Sequence, residues 1–261
     1  SKDVNSPETK LYDNLIKMIY TNHPYKRKVI GSADVISTIS REDVLDFFNK
    51  YYTPSNMTTL IIGDVDTDTA IKKVSESFNF EYKKPIKKHY RKEHPLLSQK
   101  RKVEHFDTQS GYMMIGFRGA EIADKDTYAL DVLSQIMGGG KTSRLYKDIK
   151  EQKNLAFSIS ASNGSYRDDG IFYISANFTP VNCEKLEKTI FAEIKNIQKY
   201  GITEEELQTA KNMIEQETYY SRESTSNIAS ELGYIMTLVG DTVACSQLDH
   251  GIHHIARTSE A

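Results

Sequence analysis

Leu11, Leu15, Ile16, Met18 and Ile19 recur at the spacing of a single helix face, and Pro7 with Glu8 stands just ahead of them as a helix opening. The pattern predicts a helix ending near Asn22-His23-Pro24. Ser40 followed by Asp43 is a capping-box start for a second helix, which is expected to bury Val44, Leu45, Phe47 and Phe48 and must stop before Pro54. The apolar run 57–62 predicts a strand, and Gly63-Asp64-Val65-Asp66 turns it into a helix over about 67–78.

The rhythm breaks where Lys83, Lys84, Lys87, Lys88, Arg91 and Lys92 crowd together with Pro85 and Pro95. Few apolar residues and two prolines mark a linker crossing the surface. The expected organisation is a domain over 1–82, a basic linker over 83–98 and a second domain over 99–261. Beyond the linker the pattern predicts strands over 100–106 and 111–117, then a helix over about 124–137 closed by Gly138-Gly139-Gly140. A short helix over 143–152 follows, then strands over 155–162 and 171–178 joined as a hairpin. Helices over 181–200, from Thr203 with Glu206 as a capping box, and after Gly240-Asp241 finish the chain. Helices and antiparallel strands are grouped rather than alternating, which predicts the α+β class.

Composition narrows the function classes. The 261 residues are 38% hydrophobic, enough for one large or two ordinary cores. With 34 basic against 36 acidic side chains there is no basic surplus of the kind nucleic-acid binding needs. The longest apolar runs, such as 60–62, are far too short to span a bilayer. Cys183 and Cys245 cannot make a disulfide framework or a four-thiolate zinc site. Residues 1–6 carry no initiator or signal pattern, and Ser259-Glu260 resembles a helix opening, so a segment of a longer protein is expected; nothing in it indicates a compartment.

Short motifs offer chemistry that their context removes. Gly140-Lys141-Thr142 has the end of a phosphate loop, but Gln135 stands where the first glycine belongs and a helix precedes it, so a glycine C-cap is expected. Asp64, Asp66 and Asp68 alternate like calcium ligands, but Thr69 and Ser75 occupy the required Gly and Glu positions; N-capping is the expected role. His89 and His94 are five apart, about 140° around a helix, which rules out a shared zinc face. His250, His253 and His254 lack the glutamate of a zinc helix and are expected to form a solvated face.

The landmarks are more informative in order than singly. Pro7-Glu8-x-x-Leu11-Tyr12, His23-Pro24-Tyr25, Val29-Ile30-Gly31 and Ile39-Ser40-Arg41-Glu42-Asp43 lead to Tyr51-Tyr52-x-Pro54-x-Asn56-Met57 and Ile62-Gly63-Asp64-Val65-Asp66. Gly111-Tyr112, Gly116-Phe117, Gly138-Gly139-Gly140-x-x-Ser143-Arg144-Leu145-Tyr146, Leu155-Ala156-Phe157-Ser158, Asp169-Gly170-x-Phe172 and Thr203-Glu204-Glu205-Glu206-Leu207 follow. This order resembles the insulinase/pitrilysin family of zinc metallopeptidases, in its smaller bacterial and mitochondrial-processing-peptidase-like branch.

The resemblance implies two related α+β domains, each a mostly antiparallel or mixed sheet backed by helices, the first incomplete here and the second slightly truncated. It implies a parent zinc endopeptidase acting on extended peptides, with the HxxEH metal helix and its third glutamate ligand lying ahead of Ser1. Zinc is therefore expected in the parent, while this segment by itself is expected to hold no metal and to be inactive. The alternative is a non-catalytic structural or substrate-positioning subunit of a heterodimeric peptidase. Expected partners are peptide substrates and a further subunit, whether a second copy or a related chain. The family often carries an Arg and, seven residues on, a Tyr that steady the peptide and the reaction's oxyanion; Lys150 and Phe157 occupy those positions. Lysine keeps the charge without the guanidinium fork, and phenylalanine has no hydroxyl to donate. Zinc-bearing subunits of two-chain members often lack this pair, which favours the catalytic alternative. Lys150 and Phe157 are otherwise ordinary residues of a helix–strand junction.

Overall fold

The computed structural model describes residues 6–78, 84 and 90–239. In chain order they form α1 (Pro7–Ile19), α2 (Ala33–Thr38), α3 (Arg41–Tyr51), α4 (Thr67–Ser77), β1 (Gly111–Gly119), α5 (Asp126–Gly138), β2 (Ser158–Ser165), β3 (Gly170–Phe178), α6 (Cys183–Tyr200), α7 (Glu204–Ser221) and α8 (Thr225–Val239). A π-helical turn, Tyr146–Gln152, lies between α5 and β2. Grouped helices around a small antiparallel sheet are the α+β architecture that the pattern predicts.

Local chemistry sets most helix ends. Ser6 accepts the Thr9 N–H ahead of Pro7, and Ser40 and Asp43 cap α3 reciprocally. Asp66 accepts the Thr69 N–H at 2.9 Å and so caps α4, the role expected for that aspartate run. Gly139 closes α5, its N–H donating to the Gln135 carbonyl, and Gly140 follows with φ +94°.

The differences lie in tertiary partners. Residues 57–62 and 100–106, expected as strands, carry no ladder, since β-propensity prepares a strand that only pairing completes. The long helix from Thr203 is two helices, broken between Ser221 and Thr225. The short helix α2, capped by Ser32, is an addition to the expected elements. The helix expected after Gly240 lies outside the described residues.

Packing divides the chain into two units. One holds the described residues through Lys26 and Lys92–Thr218; the other holds those of Arg27–Arg91 and from Tyr219 on.

In the first unit the sheet runs β1-β3-β2, antiparallel throughout, with Ile174 paired to Ile115 on one side and Ala161 on the other. Alternate residues of β3 serve two cores. Phe172, Ile174, Ala176 and Phe178 join Ile159, Ala161, Leu145, Ile149, Leu186 and Ile190 beneath α5 and α6. Ile171 and Tyr173 face the opposite way, against Leu15, Ile19 and Tyr20 of α1 and its C-terminal cap. Fully burying an Ile or Leu is worth roughly 1.5–3 kcal/mol, so these two layers dominate the unit's stability.

In the second unit no residue of α2, α3 or α4 is buried. Val44, Leu45, Phe47 and Phe48, expected in a core, are all exposed, because no described element covers that face of α3. The Phe47–Tyr51 and Phe48–Tyr52 ring pairs, with centroids 4.4 and 4.8 Å apart, line the helix instead.

Gly138 is where α5 touches β2: a Cβ there would lie 2.0 Å from the Ala161 nitrogen, whereas at Gly164 its nearest contact would be Ile171 Cγ2 at 3.5 Å. Gly138→Ala is expected to cost about 1–3 kcal/mol through overpacking, and Gly164→Ala less than about 1 kcal/mol. Urea midpoints of the two variants check this; equal midpoints would contradict the close α5–β2 approach.

Candidate functional site

The two residues singled out from sequence flank one junction. Lys150 lies on the π-helical turn, and Phe157 immediately precedes β2. The junction is firmly built: Ile149 is fully buried beneath it, and its carbonyl accepts the Leu155 N–H at 2.8 Å. Asn154 makes the bend with φ +48°, a left-handed conformation that asparagine tolerates better than most residues. Lys150 holds its ammonium 5.0 Å from the Tyr146 ring centroid. Phe157 donates its N–H to the Asn177 carbonyl at 2.8 Å while its side chain stays 58% exposed. The exposed ring thus sits on a backbone fixed by the sheet.

β2 continues from Phe157 as an outer strand of the described sheet, paired only to β3. Its sequence Ser158-Ile159-Ser160-Ala161-Ser162-Asn163-Gly164-Ser165 contains no charge and no proline, the usual devices that blunt an edge. Its apolar side chains point into the core while Ser160 faces Ser175, their hydroxyls 2.9 Å apart.

Arg144 anchors the turn from behind, a role that the landmark order alone does not reveal. Its Nε and Nη2 donate to both Glu206 oxygens at 2.5 and 2.7 Å, and it also reaches Glu193 and the Gly201 carbonyl. Glu206 doubles as the expected capping partner of Thr203, whose N–H it accepts at 2.8 Å. A planar fork matched to a carboxylate explains why arginine stands here.

Next to β2, a cavity of about 340 Å³ is lined by Asp131 and Gln135 of α5, Ser162 and Asn163 of β2, and Lys211 and Glu217 of α7. Burial pushes the Asp131 carboxyl above its ordinary range, against the Asn163 amide that donates to it at 2.8 Å.

Metal ligands are a separate matter. Among the described residues no group of three or more His, Cys, Asp or Glu side chains is arranged to hold a metal ion. Glu93 and His94 are described; His89, His250, His253 and His254 lie outside the described residues.

Arg144 and, secondarily, the Thr203 N–H hold the Glu206 carboxyl at about 2 against the opposing effect of burial. A depressed carboxyl stabilises the fold fully above its ordinary value near 4.5 and loses that contribution as pH falls through about 2. Glu206→Gln is expected to lower stability at pH 7 and to flatten the acid loss between those values. Thermal unfolding at several pH values checks this; wild-type and variant curves running parallel would contradict it.

Comparison with known proteins relates the chain to a family. Residues 38–214 match the profile of a family described as the peptidase M16 inactive domain. Over 236 residues the chain is 28% identical to the uncharacterized zinc protease YmxG of Bacillus subtilis, covering 90% of this chain and 57% of that protein. It is 31% identical over 230 residues to the zinc protease PqqE of Helicobacter pylori, covering 86% and 52%. The chain thus spans about half the length of the curated relatives it matches. The crystal structure of a protease from Helicobacter pylori superposes with a TM-score of 0.87 at 28% identity, covering 97% of this chain and 61% of that one. A peptidase M16 inactive domain from Pseudomonas fluorescens shares the fold with a TM-score of 0.83 at 22% identity, covering 97% and 60%.

Proposed function

The chain belongs to the peptidase M16 family, and from that membership we propose that its parent is a zinc endopeptidase in which this segment holds the substrate rather than the metal. The observation that carries the proposal is the uncharged outer edge of β2, flanked by Phe157 and Lys150, within a chain matching the family's inactive domain. An extended peptide adds to such an edge through main-chain hydrogen bonds, and side chains at its end set the register. Lys150 supplies a positive charge for a substrate carboxylate, and Phe157 an apolar face for a neighbouring side chain.

Zinc bound elsewhere in the parent supplies the Lewis acid and the activated water. This segment's share in that reading is to bind and orient the peptide. The phenyl ring of Phe157 cannot donate a hydrogen bond to an oxyanion, so that donor comes from another group of the parent or from a partner subunit. A non-catalytic structural or substrate-positioning subunit of a heterodimeric peptidase is the less favoured alternative, because such subunits usually keep an Arg and a Tyr at the positions that Lys150 and Phe157 occupy.

In the full-length parent, Lys150→Ala and Phe157→Ala are each expected to raise KM for an extended fluorogenic peptide about three- to tenfold with kcat little changed, the signature of lost binding. Unchanged KM in both variants would remove the substrate-holding role. Metal analysis of the same full-length protein is expected to find stoichiometric zinc. A metal-free parent without peptide hydrolysis would leave the non-catalytic subunit as the function.

A further inference from the structure

Residues 93–106 run beside α1 without forming a ladder, yet side chains tie them down along their length. At one end stands Glu93, whose side chain is only 2% exposed. Its carboxylate accepts the N–H of Asn22 and, at 2.5 Å, that of His23, in the turn just past α1. Arg118 of β1 completes this end. One of its nitrogens donates to the Ile19 carbonyl at 2.7 Å and lies 3.9 Å from Glu93, and the other lies 3.3 Å from Asp169 in the β2–β3 turn. A guanidinium at the last carbonyls of α1 also suits the negative end of the helix dipole.

At the other end the contacts follow the period of two that an extended chain imposes. Lys100 donates to the Met18 carbonyl at 2.8 Å, Lys102 to Asn14 at 2.9 Å, and Glu104 accepts from Asn14 at 3.1 Å and lies 3.4 Å from Lys10. The Lys10 ammonium also sits 5.9 Å from the Phe106 ring centroid. Even-numbered residues therefore descend α1 from its C-terminal end toward its N-terminal end. Arg101 points elsewhere and grips Glu187 of α6 through two bonds of 2.9 and 2.8 Å.

We propose that residues 93–106 are a strap that fastens α1 onto the sheet of the first unit, through a buried carboxylate latch at Glu93 and an exposed ladder of polar and ionic contacts from Lys100 to Phe106. The strap makes α1, which in sequence belongs to the stretch before the linker, a fixed part of the body that carries β1, β2 and β3. The two ends differ in kind. The latch is desolvated, whereas the ladder is exposed and its ion pairs to α1 and α6, Lys10–Glu104 and Arg101–Glu187, are screened by salt. Backbone pairing of the predicted strand at 100–106 is replaced here by side-chain contacts, which a change of ionic strength can loosen one end at a time.

Amide hydrogen exchange and limited trypsin digestion of the full chain test the strap. In the wild type, the Asn22 and His23 amides are expected to be protected. Raising salt from about 0.05 to about 1 M is expected to speed cleavage at Lys100, Arg101 and Lys102 without changing those two amides. Glu93→Gln is expected to accelerate exchange at Asn22 and His23 about tenfold or more while amides of β3 keep their rates. Glu104→Gln is expected to speed cleavage at Lys102 and leave Asn22 and His23 protected, and it reads the ladder even where Glu93→Gln fails to fold. The strap is overturned by any of three results: Asn22 and His23 exchange unchanged in Glu93→Gln, an equal acceleration in β3, or digestion of Glu104→Gln indistinguishable from wild type at every salt concentration.

Discussion

β3 is the element on which the rest of the first unit depends, because it is buried on both faces. A strand between two hydrogen-bonded neighbours has no spare backbone donors, and its side chains must satisfy two cores at once. Phe172, Ile174, Ala176 and Phe178 fix where α5 and α6 lie, while Ile171 and Tyr173 fix α1. A slip of one residue would exchange these two sets and dismantle both layers, so the register is strongly specified. The junction at Lys150 and Phe157 inherits its position from this constraint: Ile149 and Leu155 are anchored in the β3 core, and Phe157 pairs its backbone with Asn177.

Polar contacts in the unit differ widely in what they contribute. The exposed pair of Lys188 and Glu184 on α6 adds little, because water screens it. Arg144 and Arg118 matter more, because each is largely buried and binds several acceptors belonging to different elements. Removing either would leave carboxylates unpaired in a partly desolvated setting, which costs more than the pair itself contributes. Both arginines therefore act as junction pieces: Arg144 joins the π-helical turn to α6 and α7, and Arg118 joins β1 to the end of α1 and the hairpin turn.

Much of the fold is legible along the chain because its signals are local. The hairpin of β2 and β3, the Ser40 and Thr203 capping boxes, the Asp66 cap and the glycine end of α5 all rest on residues within a few positions of one another. The strand expected at 57–62 and the core face expected on α3 fail for a common reason: each needs a partner surface, and apolar periodicity says which face seeks burial without saying what covers it. Lys150 and Phe157 are visible as departures from a family pattern, whereas Arg144 and Glu93 are not. Their importance comes from hydrogen-bond partners dozens of residues away, for which a charged residue in a polar stretch offers no signal.

The amino-acid sequence by itself determined the α+β class, the helix boundaries set by caps, the antiparallel hairpin and the family, since these follow from short-range hydrogen bonding, periodicity and the order of landmarks. Tertiary structure alone decided that α1 joins the sheet of the second stretch, that residues 100–106 become a side-chain-tethered strap, and that β2 is an outer strand of the described sheet beside Phe157. These are outcomes of which distant surfaces meet. They depend on shape at Gly116 and Gly138, where a missing side chain lets a helix approach the sheet, and on a few buried charges whose partners lie far along the chain.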